Sequence, residues 1–301
     1  MTCVTFDVER HTTKESFLNL ITSSCERLEN IVFHEPPFII KDAELKLLPS
    51  HLPNLQEFCY APETIHDAHV LSAVIPFFKN CPNLKLINAA GVKWRRLGAG
   101  SNTVFRHHSF QVGPSGGSEV TFDAEDTNFA SRAEVEEFFQ LIPPVYGLII
   151  KRIHHNALSV LLPQITLQYS TTLNYMCFYG RGILVACRVL DLMKTCANVK
   201  LAALSTMPNS VYSVLEGSSF RECTKFLVEI LCEVGQSIQT LYFYHFYQLT
   251  NVDVKHLLEA MPDLKSIHFS HLRTPLFATT RTSFSKRKVA LVEEIDRNIF
   301  I

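Results

Sequence analysis

One phrase returns along the whole chain. The segments CERLENIVF, LPNLQEFCY, CPNLKLINA, STTLNYMCF, CANVKLAAL, QSIQTLYFY and MPDLKSIHF each carry an apolar L-x-x-L-x-L frame, starting at Leu28, Leu55, Leu84, Leu173, Val199, Ile238 and Leu264. Weaker frames start at Met1, Gly117 and Val145. Successive starts lie 26 to 39 residues apart. A unit of that size cannot bury its apolar face alone, so the register demands that neighbouring units stack into one continuous core.

Between frames the apolar period lengthens from that of a strand to that of a helix. DAHVLSAVIPFFKNC, RAEVEEFFQLI, LVACRVLDLMKTC and NVDVKHLLEAM place apolar residues three and four apart. Asp67, Ser131 and Asn251 are expected to cap three of these helices. Pro53, Pro82 and Pro262 fall between helix end and strand, where a fixed φ and a missing N–H do little harm. The expected fold is therefore an α/β solenoid of about ten strand-helix units with a parallel concave sheet, a single domain over 1–301. The glycine-rich stretch around 93–130 predicts an irregular unit with a loop. VALVEEIDRNIF predicts a C-terminal capping helix over about 284–299, sealing the last unit.

Composition narrows the function. With 28 basic against 29 acidic residues, nothing steers the chain toward nucleic acid or an anionic membrane. The richest apolar runs, VYGLIIKRI and GILVACRVLDLM, are short and broken by Lys151, Arg152, Arg188 and Asp191, so no membrane span is expected. Nine cysteines without a C-x-x-C pair, and no Asn-x-Ser/Thr sequon, read as a reducing cytoplasmic setting. The basic cluster Lys286, Arg287 and Lys288 adds a nuclear-targeting alternative.

The repeated frame resembles the long-repeat leucine-rich family, in particular F-box/leucine-rich-repeat substrate receptors and ribonuclease-inhibitor-like proteins. That resemblance implies a horseshoe that binds an unidentified protein client and is not an enzyme. Its specific form is the substrate-recognition part of an F-box-type ubiquitin ligase, meeting the ligase adaptor through a segment upstream of the first frame, since no F-box-like stretch stands in this sequence. A stand-alone binding or inhibitor protein is one alternative, and a hydrolase acting through Ser115 or the paired histidines is the other. The family's Asn or Cys at the ninth frame position is replaced here by Pro36, Glu63, Val92, Arg181, Met207, Phe246 and Leu272.

Within each frame the first, fourth and sixth positions are expected to point inward, and the third, fifth and seventh outward on the sheet. IQTLYFY thus buries Ile238, Leu241 and Phe243 and presents Thr240, Tyr242 and Tyr244. The expected protein-binding face is Tyr175, Cys177, Tyr179, Tyr242, Tyr244 and His268, because tyrosine offers large contact area at low entropy cost. Cross-strand pairing of ordinary β-formers is the competing account of the same rings. Earlier frames present a smaller, mixed face of Asn30, Val32, His34, Glu57, Cys59, Ala61, Leu86, Asn88 and Ala90.

Other patterns carry less. His66 with His69, His107 with His108, and His154 with His155 lack the i, i+4 or C-x-x-C frame of a zinc site, so no metal or cofactor is expected. GPSGG around Ser115 matches a hydrolase elbow in letters, but SEVTF after it is a strand pattern where a helix is required. Cys25, Cys81 and Cys196 precede their frames by three residues and read as stacked core thiols. Cys59 and Cys177 are the two expected on the open face and the two to test for reactivity.

Overall fold

The computed structural model describes residues 4–8, 12–24, 27–33, 38–60, 69–98, 102–105, 108–111, 116–123, 127–128, 131–153, 155–181, 192, 194–207, 217–244, 249–270 and 276–294. The fold is mixed α/β, and its contacts fall into two compact units, Met1–Tyr146 and Gly147–Ile301.

The first unit holds strands β1 (Val4–Val8), β2 (Leu28–Phe33), β3 (Glu57–Cys59), β4 (His69–Val70), β5 (Leu86–Ala89), β6 (Val92–Arg96), β7 (Asn102–Phe105), β8 (His108–Gln111), β9 (Ser118–Asp123) and β10 (Thr127–Asn128). Its helices are α1 (Lys14–Ser24), α2 (Asp42–Leu47), α3 (Ile75–Asn80) and α4 (Arg132–Leu141). The main sheet runs β1-β2-β3-β5-β6-β9. It is parallel from β1 to β5 and antiparallel across β5, β6 and β9. Ring contacts tie helices to the inward frame positions: Phe17 of α1 meets Phe33, Phe77 of α3 meets Phe58, and Phe138 of α4 meets Phe122.

The region expected to be irregular is where parallel order breaks. Ala90 and Gly91, at φ 53° and 70°, make a two-residue turn from β5 into β6. Two left-handed residues give that turn the twist a hairpin needs, which explains the glycine and the antiparallel return. β7 and β8 form a hairpin of their own, and β10 pairs with β4.

The second unit contains β11 (Val145–Ile153, whose first two residues close the first unit), β12 (Tyr175–Arg181), β13 (Leu201–Met207), β14 (Thr240–Tyr244), β15 (Ser266–Ser270) and β16 (Ala290–Glu294). Its helices are α5 (His155–Tyr169), α6 (Gly217–Val234), α7 (Asn251–Ala260) and α8 (Ala278–Arg287). All five strand pairings from β11 to β16 are parallel.

Every one of the ten frames holds a strand. Among the described side chains the inward positions are buried, from Ile31, Phe58 and Ile87 to Leu241, Phe243 and Ile267, each at most 1% exposed. One turn leads into five of these frames: the first frame residue donates its N–H to the carbonyl three residues earlier, Leu55 to Leu52, Leu84 to Cys81, Val199 to Cys196, Ile238 to Gly235 and Leu264 to Met261. Cys81 and Cys196 occupy the accepting place and are buried, as expected for core thiols, while Cys25 lies outside the described residues. Cys81 also points its thiol at the Leu52 carbonyl.

Two expectations are corrected. The capping residue of α7 is Thr250, not Asn251. Thr250 Oγ1 accepts the Asp253 N–H, and the Asp253 carboxylate accepts the Thr250 N–H in return, a reciprocal cap that Arg221 completes with two bonds to the same carboxylate. Burial pushes the Asp253 carboxyl up, but bonds from Arg221 and Thr250 outweigh it and hold the group below its usual range. Asn251 serves the next helix instead, its Oδ1 accepting from the Phe277 N–H and the Thr280 hydroxyl. The capping helix over about 284–299 is also overturned. α8 ends at Arg287, Lys288 turns left-handed at φ 56° to close it, and 290–294 are strand paired with β15. The run Val289 to Val292 opens and closes on β-branched valine, and the left-handed closure stops the helix before it.

Candidate functional site

Register places the expected aromatic face in rows across the second unit. Cys177, Ala203, Tyr242, His268 and Val292 are successive partners in one row, and Tyr179, Ser205, Tyr244, Ser270 and Glu294 in the next. The structure therefore brings the six chosen positions to one side of neighbouring strands, as the frame required. It does not leave them open. Tyr175 and Cys177 are 1% exposed, Tyr242 and Tyr244 2%, and His268 7%; the side chain of Tyr179 lies outside the described residues. The expectation that these groups face solvent is corrected.

Rings pack against rings along this side of the sheet. Tyr242 stacks on His268 with centroids 4.3 Å apart and on Tyr244 at 6.1 Å, both at 16° between planes. The Tyr175 ring occupies the space beside Gly147 of the neighbouring strand, where an added Cβ would sit 2.1 Å from the ring. Tyr146 covers Gly117 in the same way in the first unit. An aromatic ring laid over a glycine of the adjacent strand shields backbone that would otherwise meet water. Burial, with the Cys177 thiol as a smaller cause, pushes the Tyr242 hydroxyl up to about 12, so it stays protonated at neutral pH.

The accessible face lies instead on the first unit. Its rows are Asn30, Glu57, Leu86, Arg95 and Glu119, and Val32, Cys59, Asn88, Lys93 and Thr121. Lys93 is exposed, and Asn30, Val32, Glu57, Cys59, Leu86, Asn88 and Arg95 are half-buried. Arg95 pairs with Glu119 at 3.2 Å, and the Glu119 carboxylate is largely buried. Lys93, Arg95, Glu119 and Thr121 were not among the sequence candidates. Their signal was the alternation in VKWRR and SEVTF, in which Val92, Trp94, Val120 and Phe122 are buried; read as part of an irregular loop and a weak frame, it concealed two antiparallel strands, of which β6 adds the exposed Lys93 and half-buried Arg95 to the face while Glu119 and Thr121 of β9 are buried.

The remaining candidates separate cleanly. Burial raises the Cys59 thiol, Glu57 raises it further, and Lys93 pulls it down; the net shift is upward. Cys81 is pushed to about 12 by burial alone. Neither thiol is poised as a nucleophile, which requires the thiolate. His69 is buried and its Nδ1 meets the Asp42 carboxylate, which also accepts the Val70 N–H; that carboxylate anchors β4 to the first turn of α2. His66, His107, His154 and Ser115 lie outside the described residues, as do the side chains of His108 and His155. The chain beyond Ser115 runs through Gly116 and Gly117 into β9, so the helix that a hydrolase elbow needs is replaced by a strand. Among the described residues no group of three or more His, Cys, Asp or Glu is placed to hold a metal ion, and no helix is long and apolar enough to cross a membrane.

Lys286, Arg287 and Lys288 are built into the end of α8. Arg287 donates to the Met261 and Pro262 carbonyls at the end of α7, and Lys288 closes its own helix. These contacts give the basic cluster a structural use, satisfying carbonyls that a helix end leaves open.

No protein-family model matches the chain, and no curated protein matches it.

Proposed function

We propose that this chain is a leucine-rich-repeat solenoid that acts as a non-catalytic protein-binding scaffold, with the open sheet face of its first unit as the contact surface. The observation that carries the reading is the coincidence of ten sequence frames with ten strands, five of them entered through the same turn. Stacked units of this kind spend their sequence on a repeated core and recognise partners through outward sheet positions. The contact surface proposed from the sequence, the tyrosines of the second unit, gives way to Asn30, Val32, Glu57, Asn88 and Lys93, because a docking side chain must be reachable.

The more specific form is the client-binding part of an F-box-type ubiquitin-ligase receptor, where holding a client beside a ligase acts through effective concentration. Only the family resemblance supports that step. The stand-alone scaffold or inhibitor reading shares the same surface and needs no adaptor.

One experiment separates these outcomes. Proteins retained by the wild-type chain are compared with those retained by Lys93→Glu and Glu57→Arg variants whose melting is unchanged. A protein held by the wild type at least tenfold more than by either variant supports the surface. Identical retention by all three chains rejects it. A ubiquitin-ligase adaptor among the retained proteins, with ubiquitylation of the client that depends on this chain, supports the specific form; its absence leaves the stand-alone scaffold.

A further inference from the structure

We draw no further inference here: the strongest candidate, the exposed apolar pair Val252 and Phe277 at the N-terminal ends of α7 and α8, carries nothing, because nothing in the structure shows what covers it.

Discussion

The fifth frame position means different things in the two units. On the parallel strands of the first unit it is filled by Val32, Cys59 and Asn88, all half-buried; in the second by Ile149, half-buried, and by Cys177, Ala203, Tyr242 and His268, all buried. Backbone geometry is the same, since both sets lie on parallel strands in matched register. The two sets differ in their neighbours: in the second unit Tyr242 stacks on both His268 and Tyr244. Stacked tyrosine and histidine rings bury area along the sheet that valine, cysteine and asparagine at the same frame position do not offer. A position that a strand points outward is thus not thereby exposed: lateral packing along the sheet can close a face.

Truncating a ring tests this contrast with the largest expected effect. Tyr242→Ala should cost about 3–5 kcal/mol in the urea unfolding free energy of the full chain, in the range of a large buried aromatic. Val32→Ala, at the same frame position in the first unit, should cost less than about 1 kcal/mol because its methyls already meet water. Equal costs would erase the distinction between the faces. A near-neutral Tyr242→Ala would restore the tyrosines as an open binding surface.

Cysteine happens to occupy that position once in each unit, so labelling reads accessibility directly. A small maleimide should reach Cys59 in the native chain about a hundredfold faster than Cys177, which must wait for local opening. Mass spectrometry of digested peptides distinguishes the two sites. Equal rates under native conditions would mean that the second face opens freely.

How far the sequence carried this picture follows from the range of the interactions involved. The frames located ten strands because burial of the first, fourth and sixth positions is a local alternation, visible in Ile238, Leu241 and Phe243 as they stand. The closure of the tyrosine face was hidden because it depends on what a neighbouring strand provides some 28 residues away: Gly147 read as a faint frame residue until it was found under Tyr175. Thr250 was passed over for Asn251 because both are good caps by type, and only the partner carboxylate of Asp253 chooses between them. At the tail, helical spacing in VALVEEIDRNIF competed with β-branched content, and the left-handed Lys288 together with pairing to β15 decided for a strand at 290–294.

The contact between Tyr175 and Gly147 gives a finer test. Gly147→Ala should destabilise by about 1–3 kcal/mol, because the new methyl overlaps the ring and the sheet must yield. On a Tyr175→Ala background the same change should cost nearly nothing, giving a clear coupling in a double-mutant cycle. An unchanged cost would place the strain in the strand backbone and not in the ring.

The smallest effect probes the charges of the open face. Glu57 and Lys93 act on the Cys59 thiol with opposite signs, the carboxylate raising it and the ammonium lowering it. Since the thiolate is the reacting species, Glu57→Gln should quicken native labelling of Cys59 at pH 7.5 by about twofold, and Lys93→Met should slow it by a similar factor, as expected for partly solvated charges. Both changes should shrink at high salt, where the Debye length falls to about 3 Å at 1 M. Shifts of the same sign in both variants would mean that the substitutions alter access to the thiol and not its ionisation. Opposite signs that fade with salt would establish that the two charges and the thiol share one solvent-reached surface, the property a docking face in the first unit requires.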